Sequence, residues 1–223
     1  MVNILLDRYN IDAPWLFDHL KEYIKPYHKI LVVAFSFRDN RVRDNSDWQA
    51  LYGKNQGKLY RGIVDSFKSY GIKEESIEFL NYFTDTKESA NTKVESCDIL
   101  YFLGGLPDRM FERLKEFDLI DVMLKHKGII MGYSAGAIIQ LEEYYLSPDN
   151  DYPEFSYYEG IPYINDFYIQ SHYENTDIQN LCIKKVLAEK NKTVYAIDET
   201  GALIVDNGAI KTIGNIKAFL KNK

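Results

Sequence analysis

The chain has 223 residues, 46% of them hydrophobic, with 27 Lys+Arg against 33 Asp+Glu and a net charge of −6. That length buries a core without staples, so one domain over residues 1–223 is expected, and the acidic balance argues against a nucleic-acid partner. No apolar stretch is long enough for a membrane helix, the N-terminal MVNILLDRYNIDAPW lacks signal-peptide character, and two cysteines, Cys97 and Cys182, make no disulfide framework; the cytoplasm is the expected compartment.

In chain order, His19 falls in a first amphipathic helix. Lys29–Phe37 (KILVVAFSF) is β-branched and aromatic and predicts a buried strand. Asp47–Tyr70 has helical periodicity weakened by Gly53, Gly57 and Gly62, with Gly71 as its C-cap. Ile77–Phe83 predicts a second strand and Thr86–Glu95 a short polar helix. Asp98–Leu103 predicts a third strand, running into Gly104-Gly105. Pro107–Lys125 is helical with a break near Phe117, and Gly128–Met131 is a fourth strand.

Leu146–Pro162 is irregular and rich in Tyr, Pro and Asp. A fifth strand over Phe167–His172 precedes a helix over Thr176–Asn191, with Thr176 as N-cap. Three short strands close the chain, Thr193–Ile197, Ala202–Val205 and Ala209–Ile213, the last two joined by the hairpin turn Asp206-Asn207-Gly208. Strands alternating with helices predict a doubly wound, mostly parallel α/β sheet with a C-terminal antiparallel hairpin. Ligands bind beyond the C-terminal strand ends of such sheets. Gly104-Gly105 and Gly132–Gly136 both fall there.

Gly132-Tyr133-Ser134-Ala135-Gly136 is a GxSxG pattern between a buried strand and a helical run. A nucleophile on such a turn sits in strained backbone, so its neighbours must be small. The plain alternative is Ser134 as a helix N-cap. A serine nucleophile needs a base. His28 and His126 precede strands, at the wrong edge of the sheet, and His19 lies in the first helix. His172, in IQSHYE at a strand end, shares the edge of Ser134. Ala135 supplies one backbone oxyanion donor, and the Gly104-Gly105-Leu106 turn a second. Asp149, Asp151, Glu174, Asp198 and Glu199 are all candidates to orient the imidazole, and the residues alone do not choose among them.

FLGG (102–105), GYSAGA (132–137), the histidine of QSHYE (170–174) and IDETGALIV (197–205) resemble peptidase E and its cyanophycinase relatives. These are serine peptidases on a flavodoxin-like, class I glutamine-amidotransferase-like fold. The resemblance implies Ser134 as nucleophile and His172 as base. It offers two acids: Asp149, 149 − 134 = 15 residues after the serine, and Glu199, 199 − 172 = 27 residues after the histidine. The ungapped IDET favours Glu199. Oxyanion donors would be Ala135 with Gly105 or Leu106. The family's third glycine and asparagine after the third strand are replaced here by Leu106-Pro107, and the amidotransferase cysteine by Ser134.

The expected function is therefore hydrolysis of a small peptide by a serine dipeptidase-like enzyme, with no metal and no cofactor. Neither nucleic acid nor a membrane is an expected partner, and a homodimer is left open. The family's preference for N-terminal aspartate would need a cation, with Arg38, Arg41, Arg43 and Arg109 as candidates. An esterase and a non-catalytic amidotransferase-like binding domain are the alternatives. Half of the 18 tyrosines lie between 133 and 173. Packing of a long surface loop is the favoured reading of them, and an aromatic flap over the serine the expected location.

Overall fold

Short apolar runs form the sheet and amphipathic segments cover it. A computed structural model describes residues 1–54 and 56–221. Asn55, inside the helical stretch expected over 47–70, and residues 222 and 223 lie outside the described residues. In chain order the elements are β1 (Val2–Leu6), α1 (Pro14–Leu20), β2 (Ile30–Val33), α2 (Asn45–Tyr52), α3 (Tyr60–Lys68), β3 (Ile77–Leu80) and α4 (Lys87–Ser96). There follow β4 (Ile99–Phe102), α5 (Pro107–Glu116), α6 (Ile120–Lys125), β5 (Ile129–Tyr133), α7 (Ala135–Ile138), β6 (Glu143–Leu146) and β7 (Ser156–Glu159). The chain ends with β8 (Phe167–Gln170), α8 (Asp177–Lys190), β9 (Thr193–Asp206) and β10 (Ala209–Phe219).

The main sheet runs β10-β9-β1-β5-β4-β2-β3, with β8 also paired to β9. The strands β1, β5, β4, β2 and β3 are mutually parallel. Winding reverses between β2 and β4, since β3 lies on one side of β2 and β4 on the other. This is the doubly wound α/β pattern, with the crevice for ligands beyond the C-terminal strand ends. Alternate residues feed opposite faces. Ile4, Val32 and Tyr101 pack with the helices α1 to α3, and Leu5, Val33 and Phe102 with α4 to α7. A third cluster places Tyr145 and Tyr168 beneath Cys182, Ile183 and Val186 of α8.

Several boundaries differ from the sequence reading for local reasons. The helical stretch 47–70 divides into α2 and α3, because Gly53 leaves helical geometry at φ −69, ψ 141. The break near Phe117 separates α5 from α6, with Asp118 at φ 54. Thr176 caps α8 in a capping box with Gln179. Two expected strands, 193–197 and 202–205, are one continuous strand, β9, and β10 pairs with it nearly end to end. The stretch expected to be irregular contains β7, paired antiparallel with β6. Val2–Leu6, not assigned in the sequence reading, is a central strand. Among the described residues no helix is long and apolar enough to cross a membrane.

The approach of β5, α7 and β4 is tight. A Cβ on Gly136 would stand 2.0 Å from the Phe102 carbonyl oxygen, and one on Gly132 2.2 Å from the Gly136 oxygen. Backbone blocks both, so the strain has no flexible side chain to relieve it. Gly136→Ala is expected to lower stability by roughly 1–3 kcal/mol or more. Urea unfolding measures this, and an unchanged midpoint would contradict the close approach.

Candidate active site

The site forms where two strands meet end to end. β9 pairs along one edge with β10 over nearly its whole length. Its other edge therefore holds both β1, antiparallel at residues 202–206, and β8, parallel at residues 193–196. The C-terminal ends of β1 and β8 point at each other across the uncovered stretch 197–201. The residues that follow them, Asp7 and Ser171-His172, fill that gap, and Tyr173 N–H donates to Ile197 O at 3.0 Å.

The β1–β5 register brings in the serine. Leu6 lies opposite Tyr133, so the next residues, Asp7 and Ser134, leave the sheet side by side. Ser134 N–H donates to Leu6 O at 2.9 Å. Ser134 itself is at φ 51, ψ −118, a conformation L-residues rarely adopt, on the turn between β5 and α7. Its hydroxyl makes no N-cap bond to α7. Instead Oγ lies 2.7 Å from His172 Nε2.

His172 is also strained, at φ 50. Two bonds to one carboxylate hold it there. Asp7 Oδ1 accepts the His172 backbone N–H at 2.5 Å, and Asp7 Oδ2 lies 3.1 Å from Nδ1. This partner assigns the ring proton to Nδ1, which leaves the Nε2 lone pair for the Ser134 hydroxyl. The Asp7 side chain is fully buried, with Arg8 Nε 3.4 Å from Oδ2.

Ser134 and His172 thus meet as the sequence suggested, but neither expected acid joins them. Glu199 is exposed and lies inside continuous β9, not at a strand end, so nothing carries it to the imidazole. Its neighbour Asp198 turns back to Thr200 N–H at 2.8 Å. Asp149 accepts from Asp151 N–H and Tyr152 N–H, both at 2.8 Å, and closes its own turn. Asp7 was missed because Val2–Leu6 was not assigned as a strand. An apolar run of strand length ending in a carboxylate was the signal available.

The glycine turn after β4 lies beside the serine turn, since a Cβ on Gly104 would stand 2.5 Å from Tyr133 Cε2. Leu106 does not offer the expected donor: its N–H is bound to Ser36 O at 2.8 Å. The N–H groups of Gly105 and Ala135 have no acceptor among the described residues. Gly105 sits at φ 144, with Ser36 O 2.3 Å from where a Cβ would be, so only glycine fits.

A cavity of about 570 Å³ borders His172, with Asp149, Glu174, Ile138 and Tyr145 among its walls. Among the described residues no Lys or Arg lines it. The β6–β7 loop spans the strand ends above: Arg38 Nε donates to Asp151 at 3.0 Å, and Tyr152 OH to Asp108 at 2.5 Å. The other tyrosines of this region are mostly packing. Tyr144 and Tyr145 are buried, and Tyr144 stacks on Tyr158 with centroids 5.6 Å apart. Of the four candidate arginines, Arg38, Arg43 and Arg109 each face a carboxylate, of Asp151, Asp47 and Glu112 respectively.

Neither thiol belongs to this chemistry. Burial, with Asp98 nearby, pushes the Cys97 thiol up to about 12, and Cys182 is buried on the inner face of α8. A thiol held protonated, as Cys97 is, reacts slowly, and one without access to solvent does not meet the reagent. Iodoacetamide at pH 8 is expected to leave both unmodified in the folded protein. Intact-mass analysis checks this, and rapid addition of an adduct would contradict the raised Cys97 thiol or the burial of Cys182.

Comparison with known proteins agrees with the fold. Among curated proteins none matches. Among solved structures, a candidate peptidase E from Listeria monocytogenes superposes with a TM-score of 0.65 at 17% identity, covering 95% of this chain and 96% of the other. A peptidase from an acI-B1 Actinobacterium superposes with a TM-score of 0.63 at 18% identity, covering 100% and 95%. At these identities the likeness is one of fold. The sequence profile of peptidase family S51 matches residues 56–213, which include Ser134 and His172 but not Asp7. With most of its length matched, the chain belongs to peptidase family S51.

Proposed function

We propose that this peptidase is a serine hydrolase of small peptides, with Ser134, His172 and Asp7 as its triad. The observation that carries the reading is the unbroken run of contacts, 2.7 Å from Ser134 Oγ to His172 Nε2 and 3.1 Å from Nδ1 to Asp7. Both distances lie in or near hydrogen-bond range before any substrate is present.

Ser134 Oγ attacks the scissile carbonyl carbon while Nε2 takes its proton. Asp7 holds the tautomer and stabilises the imidazolium that results. The Gly105 and Ala135 N–H groups, having no protein acceptor, receive the oxyanion. One such donor is worth about 2.7–4 kcal/mol of barrier. Nε2–H then protonates the departing amine and an acyl-serine remains. Water attacks the acyl carbon, giving its proton to Nε2, and collapse of the intermediate breaks the bond to Oγ, which takes the proton back from Nε2 and restores Ser134 and His172.

The substrate's size is supported by the cavity beside His172, which is within the range of small-molecule sites, and by the loop tied down to Arg38 and Asp108. That cavity carries Asp149 and Glu174 and, among the described residues, no Lys or Arg. It offers an aspartate side chain no counter-charge, so the reading stays with small peptides as a class.

A fluorophosphonate probe is expected to label the wild type and not Ser134→Ala, and a dipeptide panel to be cleaved in preference to short nitrophenyl esters. Absence of labelling in folded wild type would refute the serine mechanism. Asp7→Asn should lower kcat by roughly 10³–10⁴-fold through the wrong tautomer. Glu199→Gln and Asp149→Asn should each leave kcat within a few-fold. A Glu199→Gln loss as large as that of Asp7→Asn would reassign the acid.

A further inference from the structure

The two N–H groups assigned to the oxyanion are held by different means. Ala135 is fixed locally: Ser134 N–H is bound to Leu6 O, and the Ala137 and Ile138 N–H groups, at 2.9 and 3.0 Å, return to Ser134 O. Gly105 has no comparable support from its own segment. The α5 helix that follows has no side-chain cap at Leu106, and Gly105 is the most permissive residue type in the chain.

What brackets Gly105 is one residue from another strand exit. Ser36 Oγ donates to Gly104 O at 2.7 Å, and Ser36 O accepts Leu106 N–H at 2.8 Å. Ser36 is buried, 1% exposed. The first bond matters most, because Gly104 C=O and Gly105 N–H belong to one peptide plane. In a trans peptide these groups point in opposite directions. A hydroxyl that draws the Gly104 oxygen toward β2 therefore turns the Gly105 N–H away from it. Without that hydroxyl, the peptide between two glycines can rotate and present its oxygen where the N–H stood.

Ser36 lies just past β2, at the point where the winding of the sheet reverses, and it too is clamped. Arg113 Nη1 donates to the carbonyls on either side of it, Phe35 O at 2.5 Å and Phe37 O at 2.9 Å. Arg113 Nη2 donates to Asp39 at 2.5 Å, and its guanidinium carbon lies 3.7 Å from the Phe37 ring centroid. The arginine side chain is only 5% exposed. A buried guanidinium must spend its donors, and this one spends two on the backbone around Ser36.

We propose that Ser36, clamped by Arg113, is a positioning residue that sets the Gly104–Gly105 peptide so that its N–H faces the reacting carbonyl. This rests on the reading of Ser134 as nucleophile. The role belongs to stabilisation of the transition state, so kcat responds and ground-state binding does not.

The test compares wild type, Ser36→Ala and Ser36→Thr on the best-cleaved dipeptide, with the matching peptide aldehyde as an oxyanion-forming inhibitor. Ser36→Ala is expected to lower kcat by at least about ten-fold with KM unchanged, and to weaken the aldehyde by the same factor. Ser36→Thr, which keeps the hydroxyl, should recover most of both. A kcat within two-fold of wild type, a change in KM alone, or lost kcat with unaltered aldehyde affinity would overturn the proposal. Should Ser36→Ala not fold, Ser36→Cys keeps the volume, weakens the donor and carries the same expectation. Fluorophosphonate labelling of wild type separates the two levels. No label overturns the serine reading itself, whereas a label with normal Ser36→Ala kinetics overturns only the positioning role.

Discussion

One buried carboxylate organises the candidate site. Asp7 accepts both the backbone N–H and the ring Nδ1–H of His172, and its side chain has no contact with water. Taking a carboxylate out of water is costly unless its oxygens are met. Both are met here by a single residue, with Arg8 as a partial counter-charge. The architecture around it follows from that need. β9 must run unbroken so that β1 and β8 can dock on the same edge with their ends facing. The β1–β5 register must then set Ser134 beside Asp7. A slip of one residue in that register would turn the alternating residues of β1 to the opposite faces of the sheet and displace the acid.

The parts of the fold that were legible in the sequence are those where chemistry is local. The strand around Val32, the elbow at Ser134 and the capping box at Thr176 each announce themselves within a few residues. So does the candidate base, because only one of four histidines follows a strand at the right edge. The acid was not legible, because its role depends on a contact between residues 7 and 172. Reading 198–201 as a gap between strands placed Asp198 and Glu199 at a strand end that does not exist. The family profile begins at residue 56, and likewise leaves Asp7 outside the matched segment.

Leu106 shows a second limit of pattern reading. Sequence gives a Gly-Gly turn with three neighbouring amides, but not which amide is already bound. The Ser36 carbonyl takes the Leu106 N–H, and leaves Gly105 as the available one. The tyrosine excess resolves in the same way. Most of these rings fill the β6–β7 hairpin and the floor under α8, and Tyr152 is the one whose hydroxyl ties the loop to Asp108.

Ser134 and His172 both occupy positive φ, at 51 and 50. Each such residue costs on the order of 1–3 kcal/mol and persists only where its surroundings over-determine it. Total stability of a domain is about 5–15 kcal/mol, so these two residues take a sizeable share of it. The hydrogen bonds to Leu6 and Asp7 are what hold the two residues in place, and these partners are the last residue of β1 and the one after it. The first strand of the chain therefore acts as the restraint on stored backbone strain. Loosening the C-terminal end of β1 and Asp7 would release Ser134 and His172 together.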